Sequence, residues 1–166
     1  MLLLHILSQH FPRDTAIPSI RSALLRQLDA VVLLQLPSGG WPHLLASSGS
    51  GAANHALGRR PVEATGTALL VAALASAASH SALLGLSSAA AARFAAAAER
   101  GFTALSLMLT TEGGLGNVAP AHGTLLLGTL KDSAAGYDAE RLGEARADVA
   151  LGGALLAATA ISLMRE

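Results

Sequence analysis

Two short glycine-broken segments hold the side chains best suited to binding chemistry. In "LLQLPSGGWPHLL" (33–45) the chain's only tryptophan, Trp41, follows Gly39-Gly40, and His43 comes two residues later. In "TTEGGLGNVAPAHG" (110–123) Asn117 and His122 follow Gly113-Gly114. An indole suits the C–H face of a pyranose, and His and Asn suit its hydroxyls or a carboxylate. Packing in the core is the competing role for Trp41, as loop structure is for Asn117 and His122. Glu63 opens an otherwise apolar helix, where its carboxylate can cap amides or hydrogen-bond a sugar hydroxyl. Thr65 and Thr67 suit bonds to helix carbonyls better than to a ligand.

Other chemistries lack their residues. Of the other acids, Asp14 and Asp29 read as a loop and a helix-surface residue, and the run Asp132, Asp138, Glu140 and Glu144 as solvated surface. No cysteine is present, and the six histidines lack metal-ligand spacing, so the sequence points to no metal. "GSGAAN" lacks the third glycine of a dinucleotide fingerprint, no phosphate loop occurs, and "SSGSG" is not a nucleophile elbow. No cofactor is therefore expected.

These residues depend on helices for their placement. Alanine and leucine dominate while aromatics make up only 3%, a composition that suits close helix packing better than sheets. The expected fold class is all-α, one helical domain over residues 1–166. Helices are predicted over 2–10, from Pro18 to about 36, and over about 62–80, 88–110 and 148–164. In the second, Ile20, Leu24, Leu28, Val31 and Gln35 trace one face. Residues 46–61 form a Gly/Ser-rich loop, and "SALLGL" a short turn. Asp148 is placed to complement the dipole of the last helix.

Lys plus Arg equals Asp plus Glu at 11 each, and the basic residues are scattered, so no nucleic-acid partner is expected. The apolar stretch 62–86 is about long enough to span a bilayer. Its Ala/Ser content, Glu63 and His80, and the missing aromatic belt favour a buried helix and no membrane. The first residues lack a basic n-region and a cleavage site, which disfavours a secretory leader and favours the cytoplasm.

An internal echo suggests stacked αα-hairpins. Each glycine pair ends a helix, and "ATGTALLVAALASA" (64–77) and "ALGGALLAATAISL" (150–163) both begin on small residues and continue as Ala/Leu helix. Glycines allow a positive-φ reversal and small residues allow axes to approach.

With its segments in order, the chain resembles the C-terminal half of unsaturated uronyl and rhamnogalacturonyl hydrolases, glycoside hydrolase families 88 and 105. The matching blocks are "LQLPSGGWPHLL" (34–45), "VEATGTALLVAALA" (62–75), "ERGFTAL" (99–105), "EGGLGNVAP" (112–120) and "ALGGALLAATAISL" (150–163). The resemblance implies roughly half of an (α/α)6 barrel around a sugar pocket. Trp41, His43, Glu63, Asn117 and His122 would then face an oligosaccharide. His43 approximates the family's Trp-His pair, with Pro42 intervening, and the family position matching Glu63 usually also holds Glu.

In that family an aspartate protonates the C4=C5 bond of an unsaturated uronic acid and water adds. That Asp and a Trp-Ala/Gly-Arg-Gly-Asn-Gly-Trp motif lie upstream of the matching part, and the motif does not occur here. The uncapped start at "MLLLHILSQHF" reads as a helix entered midway. A separate N-terminal half would then complete the barrel, and in its absence exposed apolar stripes would favour a homodimer or poor solubility. The alternatives are a non-catalytic helical module binding sugar or protein, and a two-span membrane protein.

Overall fold

A computed structural model describes residues 2–42, 62–109 and 147–165. These form helices α1 (Leu2–His10), α2 (Ile17–Leu33), α3 (Ala64–Ser79), the single turn α4 (Ser81–Leu84), α5 (Ser88–Ser106) and α6 (Ala147–Arg165). No strand occurs among the described residues; one isolated antiparallel bridge pairs Pro42 with Val62. The expected all-α class is met to that extent, and the helix positions match the sequence reading to within a few residues.

α3 is the middle of the fold, packed extensively against both α5 and α6. A helix sandwiched in this way must be apolar around most of its circumference, which "ATGTALLVAALASAAS" is. Ala64, Thr67, Ala68, Val71, Ala72, Leu74, Ala75 and Ala77 are all buried. Small side chains let the neighbouring axes come close. At Gly153 of α6, a Cβ would stand 3.2 Å from the Cβ of Ala68, a contact with little room to spare.

α5 carries the narrower stripe of a helix covered on one side. Phe94, Ala97, Ala98, Gly101, Ala104 and Leu105 recur at steps of three and four residues and are buried. Ser87 caps its start, the side chain accepting from the Ala90 amide at 3.2 Å. α2 starts with Pro18 in its first turn and buries only Ile17 and Leu28 fully.

The apolar stretch 62–86 is not one helix. α3 stops at Ser79, and Gly85, in the left-handed conformation at φ 64°, closes the turn after it. The 16 residues of α3 give about 24 Å, short of the roughly 30 Å hydrocarbon core of a bilayer. Among the described residues no helix is long and apolar enough to cross a membrane.

Candidate functional site

After α2 the chain turns back on itself within five residues. The Leu36 amide donates to Gly40 O and the Gly39 amide to Leu36 O, both at 2.9 Å. The reversal needs Gly39 at φ +95°, a region L side chains rarely enter, and a Cβ there would also stand 2.5 Å from Arg100 O of α5. Gly40 is needed for a different reason. Its φ is not positive, but a Cβ on it would press into the Val62 side chain and stand 3.2 Å from Thr67 Oγ1.

Gln35 clamps this turn to α5. Its Nε2 donates to Gly39 O at 2.6 Å and to Ala97 O at 2.8 Å, while its Oε1 accepts from Arg100 Nη2 at 2.6 Å. With the turn fixed, Trp41 is driven inward between α3 and α5. The ring lies against Val71 and Gly101: a Cβ at Gly101 would be 2.6 Å from Val71 Cγ2 and 2.7 Å from Trp41 Cζ3. Only glycine at 101 leaves room for the indole.

The polar atoms of Trp41 are satisfied as burial requires. Its indole Nε1–H donates to Val31 O at 2.8 Å, and its backbone amide donates to Thr67 Oγ1 at 3.0 Å. The Thr67 hydroxyl donates in turn to Trp41 O at 3.4 Å. Thr67 therefore spends its hydroxyl on the Trp41 peptide and not on a helix carbonyl, a long-range contact that helix periodicity does not reveal.

Glu63 sits directly beside this knot, its amide donating to Trp41 O at 2.8 Å. Its backbone is extended and its side chain turns back over the start of α3. There Oε1 accepts from the Thr65 amide at 2.9 Å and Oε2 from the Gly66 amide at 2.5 Å. The carboxylate meets the positive end of the helix dipole and two otherwise orphaned donors, which is how a 4% exposed acid is tolerated. Gly66 makes room for it, since a Cβ at 66 would stand 2.8 Å from Oε2.

The structure thus brings together two of the five candidate residues, Trp41 and Glu63, and gives both a scaffold task. A ring can stack on a sugar only through a free face, and Trp41 is 1% exposed. His43, Asn117 and His122 lie outside the described residues. The partners that the sequence reading passed over are Gln35, Arg100 and Gly101. Gln35 is the one polar residue on an otherwise apolar helix face, and Arg100 and Gly101 lie in the block 99–105 without a site role assigned to them.

Among the described residues no three His, Asp or Glu side chains gather where they could hold a metal ion. An open depression between α1 and α2, lined by Phe11, Pro12, Arg13 and Asp14, is shallow and pairs one apolar ring with two surface charges. Compared with protein-family models, curated proteins and solved structures, the chain shows no significant match to any of them.

Proposed function

We propose that this chain is a helical scaffold of the unsaturated uronyl hydrolase type, about half of an (α/α)6 barrel. In this reading it acts on unsaturated uronic-acid oligosaccharides by vinyl-ether hydration once a second segment supplies the proton-donating aspartate. The supporting observation is spatial. The blocks 34–45, 62–75 and 99–105, far apart in sequence, meet at one knot: Gln35, Gly39, Gly40 and Trp41 pack on Glu63, Thr67, Arg100 and Gly101. A barrel of hairpins needs such a knot to hold a rim loop against two helix ends.

The chemistry assigns this chain a supporting part. Trp41 and Glu63 set where the chain leaves residue 42 and where it returns at 62. Protonation at the C4=C5 bond, addition of water and collapse of the hemiketal would require the aspartate of the completing segment.

Loss of the ultraviolet absorbance of an unsaturated uronyl disaccharide tests the proposal. The expected result is no loss with this chain alone, and loss when it is combined with an N-terminal half of a family member carrying the tryptophan motif and aspartate. Absence of turnover from a combination that demonstrably associates would refute it.

A second reading, a non-catalytic module that binds a partner or a second copy, draws on the surface. Leu155, Leu156 and Leu163 of α6 are each more than half exposed, and Leu33 and Leu107, at the ends of α2 and α5, are 84% and 82% exposed. Isolated leucines on a surface are ordinary, but several on one helix favour a covered face. Sedimentation velocity separates the readings. Self-association abolished by Leu155→Ser/Leu163→Ser supports the module, and a monomer at high concentration removes its basis.

A further inference from the structure

α6 is covered on one side only. Gly153 lies against Ala68 of α3, and Ala157 and Ile161 are buried with it, while Gly152, Leu155, Leu156, Thr159 and Leu163 are exposed. At 3.6 residues per turn those five exposed positions fall on one face, roughly opposite the buried ones. No residue from 152 to 163 is charged, whereas a solvated helix face ordinarily carries charge. The Thr159 hydroxyl donates to Leu155 O at 2.9 Å, so it needs no partner from outside the helix. In the last turn the Arg165 guanidinium is turned to Glu99 of α5 at 3.3 Å.

The order of side-chain sizes along this face says what fits it. Gly152, Leu156, Thr159 and Leu163 follow one another at steps of four, three and four residues, the spacing of a seam between two packed helices. Their sizes alternate between small and large. Read backwards the alternation is complementary, so a second α6 laid antiparallel sets Leu163 over Gly152 of the second copy and Leu156 over its Thr159. A Cβ on Gly152 would meet nothing within 4 Å, which leaves open space for that leucine. A parallel pair would set leucine on leucine and leave the space at Gly152 empty. Antiparallel packing also brings the positive end of each helix beside the negative end of the other.

We propose that this chain pairs with a second copy of itself through this face of α6, the two helices antiparallel about a two-fold axis between residues 157 and 158. This pairing rests on the self-association of the second reading above and gives it a surface and a geometry. It is isologous and closed, so it stops at a dimer. One helix pair is at the small end of specific interfaces, which puts the dissociation constant on the order of 10–100 micromolar.

Sedimentation velocity of the full chain from micromolar to millimolar concentration tests the pairing. A monomer–dimer equilibrium is expected; a monomer throughout, or growth to larger species, would overturn it. Gly152→Leu should weaken the dimer at least about tenfold by filling the space that Leu163 takes. Its thermal melt should stay equal or rise, because leucine is a better helix former than glycine. Association unchanged or tighter in Gly152→Leu would overturn the pairing, since a face that is merely sticky gains from another leucine.

Orientation is read by disulfide trapping, which the absence of native cysteine keeps clean. Gly152→Cys mixed with Leu163→Cys should cross-link. Gly152→Cys alone should not, because in the antiparallel pair the two copies of position 152 lie roughly 16 Å apart along the axes. Cross-linking of Gly152→Cys with itself and not with Leu163→Cys would overturn the arrangement. If Gly152→Leu does not fold, the trapping pair carries the test. A dimer that fails these variants leaves self-association standing and removes this surface alone, whereas a monomer removes both.

Discussion

Replacing Gly101 by alanine tests the packing of the tryptophan knot most directly. A Cβ at 101 would stand 2.6 Å from Val71 Cγ2 and 2.7 Å from Trp41 Cζ3, both well inside van der Waals contact. Neither neighbour can swing away freely. Val71 is fully buried, and the indole is tethered to Val31 O through Nε1. Adding a methyl to a packed core typically costs about 1–3 kcal/mol. Against this, alanine in a helix interior regains roughly 0.5–1 kcal/mol over glycine.

The clash should win, leaving Gly101→Ala about 1 kcal/mol less stable, or a melting temperature lower by about 2–4 °C in a chain of this size. Urea denaturation followed by fluorescence is well suited, because Trp41 is the only tryptophan and its emission reports this site alone. The native spectrum should be blue-shifted and resistant to acrylamide, and Gly101→Ala should move it to the red.

In a Val71→Ala background one of the two contacts disappears, so the cost of Gly101→Ala should shrink by about 0.5 kcal/mol or more. A Gly101→Ala variant as stable as the native protein with unchanged emission would show that the indole does not fill this space.

Three further outcomes follow from the same geometry. Glu63→Ala removes the acceptor for the Thr65 and Gly66 amides and should destabilise by about 1–2 kcal/mol in a chemical denaturation curve, whereas replacement of an exposed side chain such as Arg13→Ala should be nearly silent. Thr67→Val keeps the side-chain shape but leaves the Trp41 amide without its acceptor, which should cost about 1–3 kcal/mol and redden the emission. Gly39→Ala and Gly85→Ala both force a positive φ, but only the first also meets a carbonyl oxygen at 2.5 Å. Gly85→Ala should cost about 1 kcal/mol and Gly39→Ala clearly more, compared by thermal melts.

Much of the secondary structure was legible along the chain because its causes are local. Alanine and leucine at helical period, Pro18 in a first turn, Ser87 before an alanine run and glycines at the breaks act over a few residues, and the helices fall where those signals put them. Glu63 illustrates the limit. Its position before an apolar helix announced a carboxylate at a helix start and left both capping and sugar binding open; the bonds to the Thr65 and Gly66 amides put the cap in place.

The tertiary structure decided what surrounds each residue. The same Gly-Gly-Trp segment is compatible with a ring on a rim or a ring in the core, and nothing near residue 41 distinguishes them. The distinction lies 26 residues away in the Thr67 hydroxyl and further still in Gly101, whose missing side chain makes the space. Trp41 is buried because a hydrogen-bonding clamp and a gap on two distant helices coincide there. A coincidence of that kind exists only once the helices have packed, whereas the tendency to form the helices was present in the chain from the start.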